Sequence, residues 1–263
     1  MSLTIVPAVW RDIRRPQRLV ERSAMVYRRN WLIILSGLFE PMLFLLSIRV
    51  GLSRLVGTVE VGGRMIAYDE FVAPGLLAAA AMNGAVFDST MNIYHKWKQA
   101  KLYDAVLATP LSAGDIALGE ITWAVLRGML YAAAFLVTMV TMGMVESAWI
   151  VLEVPAAALV GFAFAAIGMA ATTFMRSWAD FEYVPATTLP LFLFSATFYP
   201  VSAYGDWSWV VQLSPLYHGV ELVRAANVGV AGWDLVGHVA VLAGLAAVGV
   251  TVAARRIERL LLH

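Results

Sequence analysis

Apolar residues run along this chain in blocks longer than a soluble core needs. A helix that crosses a bilayer takes roughly 20 mostly apolar residues. Six blocks meet or approach that length, at about 31–51, 71–91, 116–144, 148–174, 183–199 and 235–254. The third is long enough to tilt, and the fifth is short and holds Pro185 and Pro190. Two further segments fit a different pattern. Residues 16–29 set Leu19, Met25 and Val26 among arginines, which predicts a basic amphipathic helix on an inner membrane surface. Residues 201–233 carry Trp207, Trp209, Tyr217 and Trp233 but are broken by Pro215 and glycines. That segment is too interrupted for a span and reads as a pair of short re-entrant helices at an aromatic-rich outer interface.

The expected fold is an all-α polytopic membrane protein of six spans. Residues 1–30 form an arm and an amphipathic elbow helix, 31–254 the spanning region, and 255–263 a tail. Composition agrees: 60% of the 263 residues are hydrophobic and 14% charged, against about a quarter charged in a soluble domain. Cysteine is absent, which excludes disulfides, thiolate metal sites and cysteine nucleophiles. The first apolar block is too long for the core of a signal peptide.

Charge placement orients the spans. With the N-terminus inside, the arm, the loop at about 93–115, the turn at Arg176 and the tail hold seven, three, one and three basic residues. The opposite side holds only Arg49, Arg54, Arg64 and Arg224. The excess of Lys and Arg belongs on the cytoplasmic side, so both termini and the polar stretch KLYDAVLATPLSAGDIALGE, residues 101–120, are expected there.

Catalytic signatures are missing. No Walker A loop, G-x-S-x-G elbow or H-E-x-x-H helix occurs. His95, His218, His238 and His263 show no metal-ligand spacing, so no metal site is expected. Asp180 and Glu182 form the tightest acidic pair, read as a solvated or contact-making turn rather than an acid–base pair. No nucleic-acid motif accompanies the basic residues. Ionisable groups inside spans are functional candidates by default, which singles out Glu40, just before Pro41, and Arg127, with Glu40 the nominated partner of Arg127. Asn83 and Asp88 either line a polar path or make helix contacts; Asp88 also approaches the cytoplasmic interface. The runs AAAAMNGA and GFAFAAIGMAA suit close helix packing. In the polar loop, Leu102, Val106 and Leu107 recur at helical spacing as an apolar face for a partner groove. Thr109-Pro110 ends that short helix, and Ser112 with Asp115 caps the next. The alternative for this helix is to rest on lipid.

Several runs carry a family resemblance. These are FEPMLFLLSIRVGLSRLVG (39–57), FVAPGLLAAAAMNGAVFDST (71–90), YDAVLATPLSAGDIALGEITWAVLRG (103–128) and FLFSATFYPVS (192–202). Their order and spacing resemble the membrane subunits of ABC-2-type exporters, in particular the nodulation-factor (lipo-oligosaccharide) and daunorubicin-resistance exporter permeases. One departure is Ala196, where glycine is more usual. The resemblance implies a type V exporter-like fold in the cytoplasmic membrane of a bacterium. It also implies a second permease copy or paralogue and two separate ABC ATPase subunits that hold ATP and Mg, with no cofactor bound by this chain. Lys101, Leu102, Tyr103, Asp104, Val106, Leu107, Thr109 and Pro110 would then couple to the ATPase, with Arg176 as a second contact. Glu40, Asn83 and Arg127 are the polar residues expected at or near a translocation path lined by the first, second and fifth spans. Phe192, Phe194, Phe198 and Tyr199 are candidates for an apolar outer gate, with packing or lipid contact as the alternative. The implied cargo is amphipathic: a glycolipid, lipid or hydrophobic drug. The rival classes are an ion-coupled secondary transporter, which would show repeated halves, and an integral membrane lipid-modifying enzyme, which would need a cluster of convergent polar groups.

Overall fold

The computed structural model describes residues 14–29, 31–61, 64–145, 148–229 and 232–261. The chain opens with α1 (Arg14–Arg29) and α2 (Trp31–Ser47), which continues through a π-type turn to Val56. A two-stranded antiparallel hairpin follows, β1 (Thr58–Val61) with β2 (Arg64–Ala67), pairing Thr58 with Ala67 and Val61 with Arg64. Next come α3 (Tyr68–Phe87), α4 (Leu102–Leu107), α5 (Ala113–Thr141) and α6 (Glu153–Thr172). After a 3-10 turn, Trp178–Glu182, stand α7 (Tyr183–Leu193), α8 (Ser208–Gln212), α9 (Pro215–Val228) and α10 (Asp234–Leu261). α3 runs on through wider π-type turns, giving one helical path Tyr68–Gln99. One end of the bundle is therefore marked by the β hairpin and the other by α4.

α6 is the centre, packed against α3, α5, α9 and α10. Its small residues make this possible, because without large side chains the backbones approach closely. A Cβ added at Gly249 of α10 would sit 2.6 Å from the Ala166 carbonyl carbon and 2.8 Å from the Ile167 nitrogen. At Gly219 of α9 it would lie 2.5 Å from a Val160 methyl, and at Gly168 of α6 2.1 Å from the Ser89 hydroxyl. The small-residue runs thus serve the packing role expected of them.

Among the described residues, four helices are long and apolar enough to cross a membrane: Tyr68–Gln99, Gly114–Thr141, Trp149–Thr172 and Asp234–Leu260. The least apolar of them, Tyr68–Gln99, is the most enclosed, with 72% of its apolar window buried against 17% for Asp234–Leu260. The polar residues Asp88, Ser89 and Thr90 of the turn that follows α3 are shielded by neighbouring helices, while α10 turns most of its apolar surface outward. Two expected spans are not among these four. α2 has 17 residues with Pro41 inside, and its helical path runs on to Val56. α7 has eleven with Pro190 inside, and the chain then bends through a left-handed residue, Ala196. The hairpin was not foreseen; its strands have only four residues each. Residues 1–13 of the arm and the last two of the tail, His263 included, lie outside the described residues.

The contact at Gly249 yields a direct test. Gly249→Val should lower stability by about 1–3 kcal/mol or more, the cost of overpacking against a rigid neighbour. Gly244→Ala on the same helix, with open space around its Cβ position, should change stability by no more than about 1 kcal/mol. Thermal unfolding of the detergent-solubilised protein compares the two.

Candidate functional site

Polar side chains gather at both ends of α3. At the α4 end, Asp88 and Asn92 lie on the π-type turn that follows α3; such turns widen a helix and re-aim its side chains. Asp88 Oδ1 meets Arg127 Nη2 of α5 at 2.5 Å, with 4% and 7% of the two side chains exposed. Arg127 Nη1 donates to the Tyr27 hydroxyl of α1 (2.7 Å), which also accepts from Asn92 Nδ2 (3.1 Å). The guanidinium lies over the rings of Tyr27 and Tyr131. One buried cluster therefore ties α1, α3 and α5. The described partner of Arg127 is thus Asp88, where the sequence pointed to Glu40, whose side chain lies outside the described residues. Nearby, α1 rests on α5 at Gly119, where an added Cβ would come within 2.9 Å of Leu19. Leu19 is buried, whereas Met25 and Val26 are exposed, so only one of the three apolar residues of α1 named above faces the core.

One turn further along, Lys96 Nζ donates to Glu120 Oε2 of α5 at 2.6 Å, and Glu120 is buried. Tyr103 of α4 packs beside it. Burial, reinforced by the Glu120 carboxylate, raises the Tyr103 phenol well above its usual range, so it stays neutral. α4 starts from Lys101 in a left-handed conformation, φ 45°. Leu102, Val106 and Leu107 are half-buried on the chain's own core. The apolar face expected to meet a partner thus packs in part on the chain's own core. The face turned out carries Lys101, Asp104, Ala105, Ala108 and Thr109; Pro110 follows, also exposed. Ser112 and Asp115 form a reciprocal capping box at the start of α5, as their spacing predicts.

The Arg176 turn sits on the same end. Tyr94 donates to the Arg176 carbonyl (3.2 Å), and the rings of Tyr94, Trp178 and Phe181 meet edge to face or tilted at 5.1–5.3 Å. Asp180 accepts from the Arg176 and Ser177 backbone N–H groups, which hold its carboxyl below the usual range. It shapes the turn, as expected for a structural carboxylate. Beside this turn, Asn83 is exposed and lines an open cavity of about 210 Å³ between α3 and α7, with Phe87, Thr90, Phe181, Val184 and Thr188.

At the hairpin end, two of the runs quoted from the sequence touch. A Cβ at Gly75 of α3 would meet the Thr197 backbone at 3.0 Å, and the Tyr68 hydroxyl donates to the Phe198 carbonyl (3.3 Å). Ala196 takes φ 56°, a region that favours glycine, the residue that the family resemblance leads one to expect there. Its carbonyl accepts from Arg224 Nη2 of α9 (2.7 Å). Arg224 is buried, paired with Glu221 (2.6 Å) and set over the Phe71 ring at 4.3 Å. Ser195 bonds the Leu191 carbonyl and the Ser214 hydroxyl. Of the aromatic candidates, Phe192 and Phe198 pack on each other at a centroid distance of 5.0 Å and each on Phe44 of α2 at 6.2 Å. Phe194 and Tyr199 are more than half exposed. Sequence reasoning missed Arg224, counted only as a charge, and Phe44. It also missed that His218 of α9 and His238 of α10 meet, Nδ1 to Nδ1, at 2.7 Å.

The chain was compared with known proteins. The model of the family described as ABC-2 type transporter matches residues 17–227. Nodulation protein J of Sinorhizobium fredii is 31% identical over 227 residues, covering 82% of this chain and 85% of its own length. Nodulation protein J of Rhizobium leguminosarum bv. trifolii is 30% identical with the same coverage. That of Rhizobium meliloti is 28% identical, covering 78% of this chain and 80% of its own.

Substitutions at two of these clusters test them. Asp88→Asn or Arg127→Met alone should cost about 3–5 kcal/mol by stranding the partner charge. The paired change Asp88→Leu with Arg127→Leu should cost less than the sum of Asp88→Leu and Arg127→Leu alone, as read by a double-mutant cycle of unfolding. Ala196→Gly should raise stability by about 1 kcal/mol by relieving the left-handed residue, measured as a higher unfolding midpoint.

Proposed function

Because the chain belongs to the ABC-2 type transporter family, we propose that it is the permease of an ATP-driven exporter that moves an amphipathic cargo outward. Members of this family are transporter membrane subunits and are not themselves the ATPase. In this reading two ABC ATPase subunits bind ATP and Mg, and a second permease, a copy or a paralogue, completes the path. The complex sits in the cytoplasmic membrane of a bacterium with both termini inside. α2 and α7 add two spans to the four long helices, α1 lies as an elbow on the inner surface, and α8 with α9 forms the re-entrant pair.

The observation that carries this proposal is the build of α4. Its outer face is exposed at Asp104 and Ala105, while Tyr103 is buried beside Glu120, which Lys96 holds from the end of α3. A push on α4 is therefore delivered to α5 through Glu120 and to α3 through Lys96. One layer deeper, Asp88 and Arg127 lock those helices together and bring α1 with them. ATP-driven closure of the partner subunits would move α4, and the helices would rock as bodies, a usual switching mode. The cavity beside Asn83 is the proposed inner part of the path. Phe44, Phe192 and Phe198 are the proposed apolar closure at the hairpin end.

The test is co-expression with the cognate ATPase, followed by co-purification and ATPase assay. Asp104→Arg should weaken association by roughly tenfold or more, since a reversed charge in an interface costs at least about 1.4 kcal/mol. Asp206→Arg, exposed at the hairpin end, should leave association unchanged. An Asp104→Arg protein with a normal complex and normal transport would contradict the docking role.

A further inference from the structure

His218 and His238 stand 20 residues apart in sequence, on two different helices, yet their Nδ1 atoms are 2.7 Å apart. Both rings are half-buried. The Tyr217 ring stands edge-on to both, at 5.4 and 5.7 Å, and walls the pair on one side.

We propose that His218 and His238 form a two-imidazole site for a transition-metal dication such as Zn²⁺, clasping α9 to α10. Imidazole nitrogen is a preferred ligand of zinc and copper. With Zn–N bonds of about 2.0–2.1 Å, tetrahedral geometry needs the two nitrogens about 3.3 Å apart, so the rings part by only about 0.6 Å to admit the ion. Among the described residues no group of three His, Asp or Glu side chains comes within metal-binding range. Water fills the remaining positions, which makes this an open, exchangeable site. Glu221, one turn along α9 from His218, is held by Arg224. The proposal concerns two helices of this chain alone and does not depend on the transport reading.

The test is Zn²⁺ titration calorimetry on tag-free, detergent-solubilised protein, comparing the wild type with His218→Gln, His238→Gln and the double variant. The wild type should bind Zn²⁺ with a site that each single variant weakens by roughly tenfold or more, and the double variant, with neither imidazole, should lose it. Zn²⁺ should raise the unfolding midpoint of the wild type and not that of the double variant. Electron paramagnetic resonance of the wild type with one equivalent of Cu²⁺ removes any dependence on how the variants fold, and coupling to two imidazole nitrogens is expected. Oxygen-only copper coordination, or equal Zn²⁺ binding by wild type and double variant, overturns the proposal.

Discussion

A carboxylate and a guanidinium enclosed in a membrane bundle have no water to fall back on, and so they must meet. Asp88 and Arg127 do so at 2.5 Å, and the rest of the α4 end is arranged around that contact. Apolar surfaces alone let helices slide, because one greasy face fits another nearly as well one turn along. A charged pair does not: a slip of one turn, about 5.4 Å, would strand both groups at a cost of several kcal/mol each. The pair therefore fixes the height of α3 against α5, and Tyr27 fixes α1 to both. Glu120 and Lys96 then fall opposite each other, and Tyr103 has a floor on which to rest.

The two ends of α3 solve different problems with related means. At the α4 end a buried ionic layer backs a short helix whose outward residues are small or polar, so a rigid surface is offered to the outside. At the hairpin end Arg224 is used differently: it binds a backbone carbonyl and stacks over Phe71. It thereby holds a bent, non-helical turn that would otherwise leave backbone groups unsatisfied in an apolar setting. The 3.0 Å approach of Gly75 to Thr197 joins that turn to α3, so both ends are read by the same helix.

Much of this was legible in the residues, and the gaps have physical causes. Apolar length found the four long helices, and the Ser112-to-Asp115 spacing gave the capping box. The small-residue runs marked the helix contacts. Periodicity reports that Leu102, Val106 and Leu107 share a face but not what that face meets, and it meets the chain's own core. Asp88 was read as a helix contact or an approach to the interface because its partner is 39 positions away and nothing local points to it. The His218 and His238 pair is invisible to spacing rules for the same reason. Ala196 was noticed as a departure from pattern, but only its positive φ explains why glycine is the easier residue. The hairpin escaped because four-residue strands carry too little alternation to register.

α10 has 28 residues, so it is about 42 Å long, against a hydrocarbon layer of about 30 Å. Most of its apolar window faces outward, and Arg256 anchors its far end to Thr173. A helix longer than the layer it crosses answers to bilayer thickness by tilting. Gly249 holds α10 in backbone contact with α6, and α6 is the element on which the other long helices lean. Lipid chain length thus has a mechanical route into the centre of the bundle.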